Sequence, residues 1–133
     1  MKFQFCGMAE LILKDECYQI IGLCMKVHTK LGKGFKEIVY KDALEVELKA
    51  VGIPYEREKE FYVQYENDAL PSKFRVDFWI YNSVILEAKA RRKITIDVFR
   101  DVLNYLKTSK VQLGLLVNFG CDRLFFQRIV CSY

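Results

Sequence analysis

The sequence predicts an α/β fold in which helices pack against a mixed central β-sheet. Three observations support this prediction. Apolar residues recur at helical spacing in three segments, other segments alternate with period two, and Leu113–Phe119 is almost continuously apolar, as in a strand covered on both faces. The predicted order is ααβββαββ(β), without internal repeats or linkers. We therefore expect one domain over residues 1–133, with its core at about 12–130.

Three helices are predicted from the spacing of apolar residues and from stop signals. The first runs over Asp15–Leu31 and is followed by Gly32. The second runs from about Phe35 to Val51, where Gly52 ends it. The third covers about Thr95 to Lys107.

Strands are predicted where the period changes to two, with the first three antiparallel to one another. A turn region is expected at Glu66–Ser72. The predicted strands are Glu58–Tyr65, Phe74–Ile80, Val84–Ala90, Leu113–Phe119 and Leu124–Val130.

The composition limits the class of protein. With 52% apolar and 29% charged residues, the chain needs neither disulfides nor a structural metal to form a core. No apolar run approaches the roughly 20 residues of a bilayer span, and Met1–Leu13 lacks a secretory pattern, so we expect a soluble, cytoplasmic protein without a membrane partner. The net charge of +4 permits contact with nucleic acid. The five cysteines, which contain no CxxC pair, are expected to be buried thiols: Cys6, Cys17, Cys24, Cys121 and Cys131.

The second hairpin carries the residues most relevant to chemistry. If its loop is Tyr81–Ser83, Asp77 lies opposite Glu87 and Arg75 lies opposite Lys89. Because side chains alternate along a strand, these charges share one face and the apolar residues share the other. The predicted core face comprises Phe74, Val76, Phe78, Ile80, Val84, Leu86, Ala88 and Ala90.

Two interpretations of the charged face remain open. Opposed like charges are unfavourable, and a divalent cation between Asp77 and Glu87 would remove the conflict. Magnesium or manganese suits paired carboxylates, and Lys89 would then stabilise developing charge or position the nucleophile. Alternatively, this is the solvated face of an ordinary hairpin, although Trp79 and Ile85 on the same face argue against full solvation.

These residues resemble a known family. Asp77, followed after nine residues by Glu87-Ala88-Lys89, resembles the signature of the PD-(D/E)XK nuclease superfamily. The segment Gly34–Tyr40 is similar to the pattern that names the GxxExxY family, and the run Leu113–Gly120 also resembles it. The resemblance extends over nearly all of 12–130. It implies a restriction-endonuclease-like fold and a magnesium-dependent nuclease.

The resemblance also implies site residues. Asp77 and Glu87 would bind metal, assisted by Glu37 as the acidic residue of the first core helix, although a glutamate there also suits the helix dipole alone. Val76 stands where the superfamily has proline. Asp101 precedes Tyr105 by four residues where related members carry glutamine, and it would either add a metal ligand or repel phosphate.

Basic residues are expected to surround this site. If they flank one cleft, the groups at Lys26–Lys36 and Lys89–Lys93 form a rim that binds phosphate; otherwise they are a solvated surface. His28 is either a general base or phosphate contact, or a structural residue near a helix end. Candidate nucleic-acid contacts are Arg75, Arg91, Arg92, Lys93, Lys33 and Tyr105, and Tyr40, Asp101 and His28 are further candidates.

Together, these patterns predict a nuclease that hydrolyses phosphodiester bonds with little sequence preference. DNA is expected ahead of RNA as the partner, and a homodimer is expected by analogy with small nucleases. The alternative is a catalytically inactive nucleic-acid-binding or adaptor domain that retains the fold.

Overall fold

The computed structural model describes residues 2–5 and 12–132, with side chains described over 12–131. Its elements follow the order βααβββαββ. Their bounds are β1 (Lys2–Phe5), α1 (Lys14–Leu31), α2 (Glu37–Val51), β2 (Tyr55–Tyr65), β3 (Asp68–Ile80), β4 (Val84–Lys89), α3 (Ile96–Ser109), β5 (Leu113–Asn118) and β6 (Phe125–Ser132).

All the described strands join one mixed sheet in the order β1-β6-β5-β4-β3-β2. The strands β4 and β5 are parallel, and every other neighbouring pair is antiparallel. Helix α3 makes the crossover that a parallel pair requires. The predicted α/β fold with a mixed sheet is therefore confirmed.

The sheet has a core on each face. Helices α1 and α2 cover one face, where Ile20, Leu44 and Leu86 belong to one buried cluster. Helix α3 covers the other face, where Val102 packs with Ile85. Strand β5 alternates between the two clusters, which explains its continuous apolar sequence.

Two predicted features at the ends of the strands are wrong. The additional strand is β1, which precedes the first helix and pairs with β6; it does not follow the last strand. The expected turn region is mostly strand, because only Glu66 and Asn67 form the turn and Asp68 already pairs with Tyr65. Most side chains of the first part of β3 are exposed, so no alternating apolar pattern marks that part of the strand.

The predicted core face of the hairpin also needs correction. Phe74 and Val76 lie in the cluster beneath α3, whereas Phe78 and Ile80 lie beneath α1 and α2. Strand β3 therefore changes its inward face at Asp77. Strand β2 changes its inward-facing side at the same level, because Glu58 has a φ of 57°, which lies in the left-handed region. Strict alternation could not predict this irregularity.

The described cysteines are free thiols. Cys17, Cys24 and Cys131 are buried, as expected, while Cys121 is half-buried. Cys6 lies outside the described residues. Among the described helices, none has the length and apolar character needed to cross a bilayer.

Candidate active site

The candidate site lies where β3 and β4 separate. Their pairing runs from Ile80 with Val84 to Phe78 with Leu86, in the register that the sequence predicts. Beyond it, the Asp77 N–H donates to Glu87 Oε1 at 2.9 Å, and the Ala88 N–H donates to Asp77 Oδ2 at 2.8 Å. The two carboxylates thus take the place of ladder hydrogen bonds, which brings them together.

Lys41, which the sequence pattern did not indicate, binds one member of this pair, Asp77, together with Glu58. The Lys41 ammonium donates to Asp77 Oδ1 at 2.9 Å and to Glu58 Oε1 at 2.7 Å. Burial opposes the charge of Lys41, but the two carboxylates outweigh that cost and raise its pKa. The sequence feature that could have pointed to Lys41 is its place beside the apolar stripe of α2, next to Tyr40 and one turn after Glu37.

Glu87 is an acid of the site whose pKa lies far above its ordinary value. Only 6% of the residue is exposed. Burial, followed by the charge of Asp77, raises the pKa of Glu87 to about 8, although the hydrogen bond from Asp77 and the charges of Lys89 and Lys41 act in the opposite direction. Burial and the Asp77 charge therefore favour the protonated form of Glu87 above the pH at which a solvated carboxyl group ionises. A solvated face would not have this property.

Other predicted residues approach the pair from both helical layers. Glu37 begins α2 and is half-buried on the same helix face as Lys41. Tyr105 of α3 stacks on Phe74 with ring centroids 4.8 Å apart. Burial, then the charges of Glu87, Asp101 and Asp77, raise the pKa of Tyr105, which indicates that its hydroxyl lies near the acids.

Two further candidates are exposed. Asp101 lies one turn before Tyr105 on α3, and Arg75 lies on β3 at the position that pairs with Glu60. The pairing of β3 with β4 does not extend to Arg75 and Lys89.

Tyr40 and His28 hold backbone segments in place. The buried Tyr40 stacks on Phe119 at 4.7 Å, and its hydroxyl donates to the Gly32 carbonyl at 2.5 Å. The His28 Nε2–H donates to the Cys121 carbonyl at 2.9 Å. The Tyr40 contacts join the α1–α2 loop to the segment after β5, and the His28 hydrogen bond joins α1 to that same segment. The structure therefore favours the structural interpretation of His28.

The loop after β4 is fixed by a buried asparagine. Asn118 accepts a hydrogen bond from the Arg91 N–H at 2.9 Å and donates to the Arg91 carbonyl at 2.8 Å. Gly120 lies directly against the same backbone, because a Cβ at this position would come within 2.3 Å of the Arg91 oxygen. This loop carries the exposed side chains of Arg91, Arg92 and Lys93.

A polar cleft of about 370 Å³ joins this loop to the loop between α1 and α2. It brings Lys33 and Arg92 together, as the phosphate-rim interpretation expects. Lys26 does not line it and instead pairs with Glu47 at 2.9 Å. The cleft is lined by Lys33, Gly34, Phe35, Ala90, Arg92 and Gly120.

The donor set fits a hard divalent cation. No group of three or more His, Cys, Asp or Glu within the described part of the chain is arranged to hold a metal. Asp77 and Glu87 nevertheless provide adjacent carboxylates, one of them buried. Magnesium usually binds through one or two carboxylates together with waters and substrate phosphates, and Asp77 and Glu87 can supply the carboxylates of such a set.

Comparisons with known proteins identify the family. The sequence pattern of the PD-(D/E)XK nuclease superfamily matches residues 14–129. The chain belongs to this superfamily. Its members generally use divalent metal ions and bind nucleic acid. The resemblance of Asp77 and Glu87-Ala88-Lys89 to the superfamily signature thus agrees with a match over most of the chain.

A solved structure supports the same fold. The protein is similar to the one in "Crystal structure of SSO0001", with 19% identity and a TM-score of 0.53, over 96% of this chain and 79% of that chain. At this identity the similarity concerns the fold. No curated protein matches this nuclease-superfamily chain.

We predict that Glu87→Gln stabilises the metal-free protein in a pH-dependent way. Between about pH 4.5 and 8 the unfolded state loses the Glu87 proton while the folded state retains it, so wild-type stability falls as pH rises through this window. The gain in the variant should be near zero below this window and reach about 2 kcal/mol or more at its upper end, at ~1.4 kcal/mol per pKa unit. Urea unfolding across the window, with EDTA, measures it.

The control for this experiment is Glu66→Gln, at the exposed turn between β2 and β3. It should change stability by less than about 0.5 kcal/mol. A gain in Glu87→Gln that does not vary with pH would contradict the raised pKa.

We also predict opposite effects of alanine at two glycines. Gly120→Ala should cost about 1 to 3 kcal/mol, because the new Cβ meets the Arg91 backbone, which cannot move without breaking its hydrogen bonds to Asn118. Gly22→Ala should gain about 0.5 to 1 kcal/mol, because it lies within α1 with no atom near the new Cβ. Thermal unfolding of both variants checks this pair, and equal shifts would disprove the tight contact at Gly120.

Proposed function

We propose that this chain is a magnesium-dependent nuclease of the GxxExxY type, which hydrolyses phosphodiester bonds of nucleic acid, DNA rather than RNA. The observation that carries the proposal is the buried Glu87 carboxyl group, hydrogen-bonded to the backbone of Asp77 beside a second carboxylate. A carboxyl group buried beside a second carboxylate weakens the fold, and a cation ligand gives a reason for its presence.

The GxxExxY assignment is supported by the roles of its three named positions. Gly34 has a φ of 114°, a conformation that L side chains rarely adopt. Glu37 begins α2 next to this loop, and Tyr40 ties the helix back to Gly32. The spacing therefore fits a loop and helix start that present one carboxylate near the sheet.

In this proposal, Asp77 and Glu87 hold Mg²⁺ or Mn²⁺, and Glu37 assists. The ion, when bound, supplies Lewis-acid activation of an attacking water. Lys89 lies close enough for its charge to lower the pKa of Glu87, so it is placed to stabilise negative charge that develops on phosphate. Asp101 is exposed on α3 one turn before Tyr105 and is a secondary candidate ligand.

Lys41 is proposed as a positioning residue. Its ammonium donates to Asp77 Oδ1, while the Asp77 backbone N–H donates to Glu87 Oε1. These two hydrogen bonds fix the position of one carboxyl group relative to the other. Its charge also lowers the pKa of Glu87 and thereby favours loss of the proton that a cation must displace.

We infer weak sequence preference, because the described chain is mostly helix and sheet core and base readout normally requires further elements in a groove. We also propose that residues 1–133 act as one nuclease unit and that two copies form a homodimer.

The test is a titration of Mg²⁺ and Mn²⁺ by calorimetry, followed by cleavage of labelled single- and double-stranded oligonucleotides. We expect the Asp77→Ala/Glu87→Ala double variant to lose metal binding and at least about 100-fold of the cleavage rate. Metal affinity of the wild type should rise with pH up to about 8, because the ion displaces the Glu87 proton.

The matched control is Glu66→Ala/Asp68→Ala, which removes two exposed carboxylates at the β2–β3 turn and should behave as wild type. Metal-independent binding that weakens with salt, with no cleavage in any metal, would contradict the nuclease and indicate a binding module.

A further inference from the structure

The polar cleft contains an aromatic ring beside its cations. Phe35 lines the cleft together with Lys33 and Arg92, and 48% of the residue is exposed. Isolated exposed apolar side chains need no explanation, but an exposed aromatic ring in the same cleft as two cations offers the stacking face and the positive charge with which proteins bind unpaired nucleotides.

The position of Phe35 is fixed by its surroundings. Its N–H donates to the Tyr40 hydroxyl at 3.3 Å, and its ring lies edge-on to the Tyr40 ring with centroids 6.2 Å apart. Tyr40 in turn is buried and bound to Gly32. The ring is therefore a preorganised surface, which reduces the entropy lost on binding.

The cations of the cleft are available for phosphate. No acidic side chain among the described residues forms an ion pair with Arg92, while Asn118 fixes the preceding residue. Lys33 pairs with Asp122 at 2.6 Å, but both side chains are mostly exposed. Such a surface pair contributes little and exchanges readily for phosphate.

The cleft is also close to the proposed metal ligands along the chain. Ala90 in its wall follows Glu87 by three residues, which is roughly 10 Å of extended chain. Phe35 precedes Glu37 by two residues. The cleft and the proposed metal ligands are therefore carried in part by the same two chain segments, Phe35–Glu37 and Glu87–Ala90.

We propose that this cleft binds an unpaired nucleotide, with its base stacked on Phe35 and its phosphate held by Lys33 and Arg92. The substrate class is then a single-stranded segment or frayed end, because bases of an intact duplex have no free face for the ring. This inference rests on the proposed function for the nucleic-acid nature of the ligand, while its base-stacking contact is tested separately.

The experiment measures binding of labelled oligonucleotides by fluorescence anisotropy in EDTA, which prevents metal-dependent turnover. Wild type should bind oligo(dT) or oligo(U) more tightly than a blunt duplex. Phe35→Leu should weaken binding of the base-bearing strand by about 10-fold and leave a fully abasic strand unaffected. The arm that shows the Phe35 effect, DNA or RNA, identifies the source of the base.

Matched variants separate stacking from charge and from misfolding. Phe35→Trp should bind at least as well as wild type, and Tyr18→Leu, which removes a highly exposed ring on α1, should change nothing. Arg92→Ala should weaken base-bearing and abasic strands alike and lower the salt slope by about 1, whereas Arg100→Ala on α3 should not.

The outcomes distinguish this inference from the proposed nuclease. Unchanged binding in Phe35→Leu, an equal loss with abasic strands, or a preference for duplex overturns the stacking cleft even if the wild type cleaves DNA. Base-dependent binding through Phe35 without cleavage in any metal supports the cleft and overturns the nuclease. Failure of the wild type to bind any strand in EDTA overturns the cleft, and the cleavage assay with metal then decides the nuclease separately.

Discussion

The separation of β3 from β4 at Asp77 is the constraint from which the site follows. Two neighbouring strands that part leave backbone N–H groups without ladder partners, and buried donors need acceptors. Asp77 and Glu87 supply those acceptors by reaching across to each other's strand. The same two hydrogen bonds also place the carboxylates side by side. The contacts that satisfy the backbone N–H groups of the sheet are therefore the contacts that assemble the acid pair.

This arrangement is electrostatically expensive, and the chain offsets only part of the cost. Lys41 binds Asp77 and Glu58 from the α2 side, and Lys89 lies near Glu87. The pKa of Glu87 is still raised to about 8, so the remaining cost is expressed as a preference of Glu87 for its protonated form. Natural proteins tolerate such local cost at functional sites while the rest of the fold is consistent with the sequence.

The buried loop residues near the site act mainly on backbone geometry. Tyr40 closes the α1–α2 loop, Asn118 clamps the loop after β4, and Gly120 allows the two segments to meet. Because these contacts are buried and short, the loops are fixed without help from a ligand. The cleft with Phe35 and Arg92 is a consequence of this framework, which links the fold directly to the surface available for a substrate.

The sequence by itself determined the helices, the mixed sheet and the hairpin register that brings Asp77 near Glu87, because apolar periodicity and turn length are local properties. Only the tertiary structure decided three other features. The face change of β3 depends on an irregular backbone at Glu58, which no alternation rule contains. Lys41 joins the site from a helix 36 residues before Asp77. The burial that raises the pKa of Glu87 arises only when α3 and the neighbouring strands cover β4, because desolvation depends on the whole assembled environment.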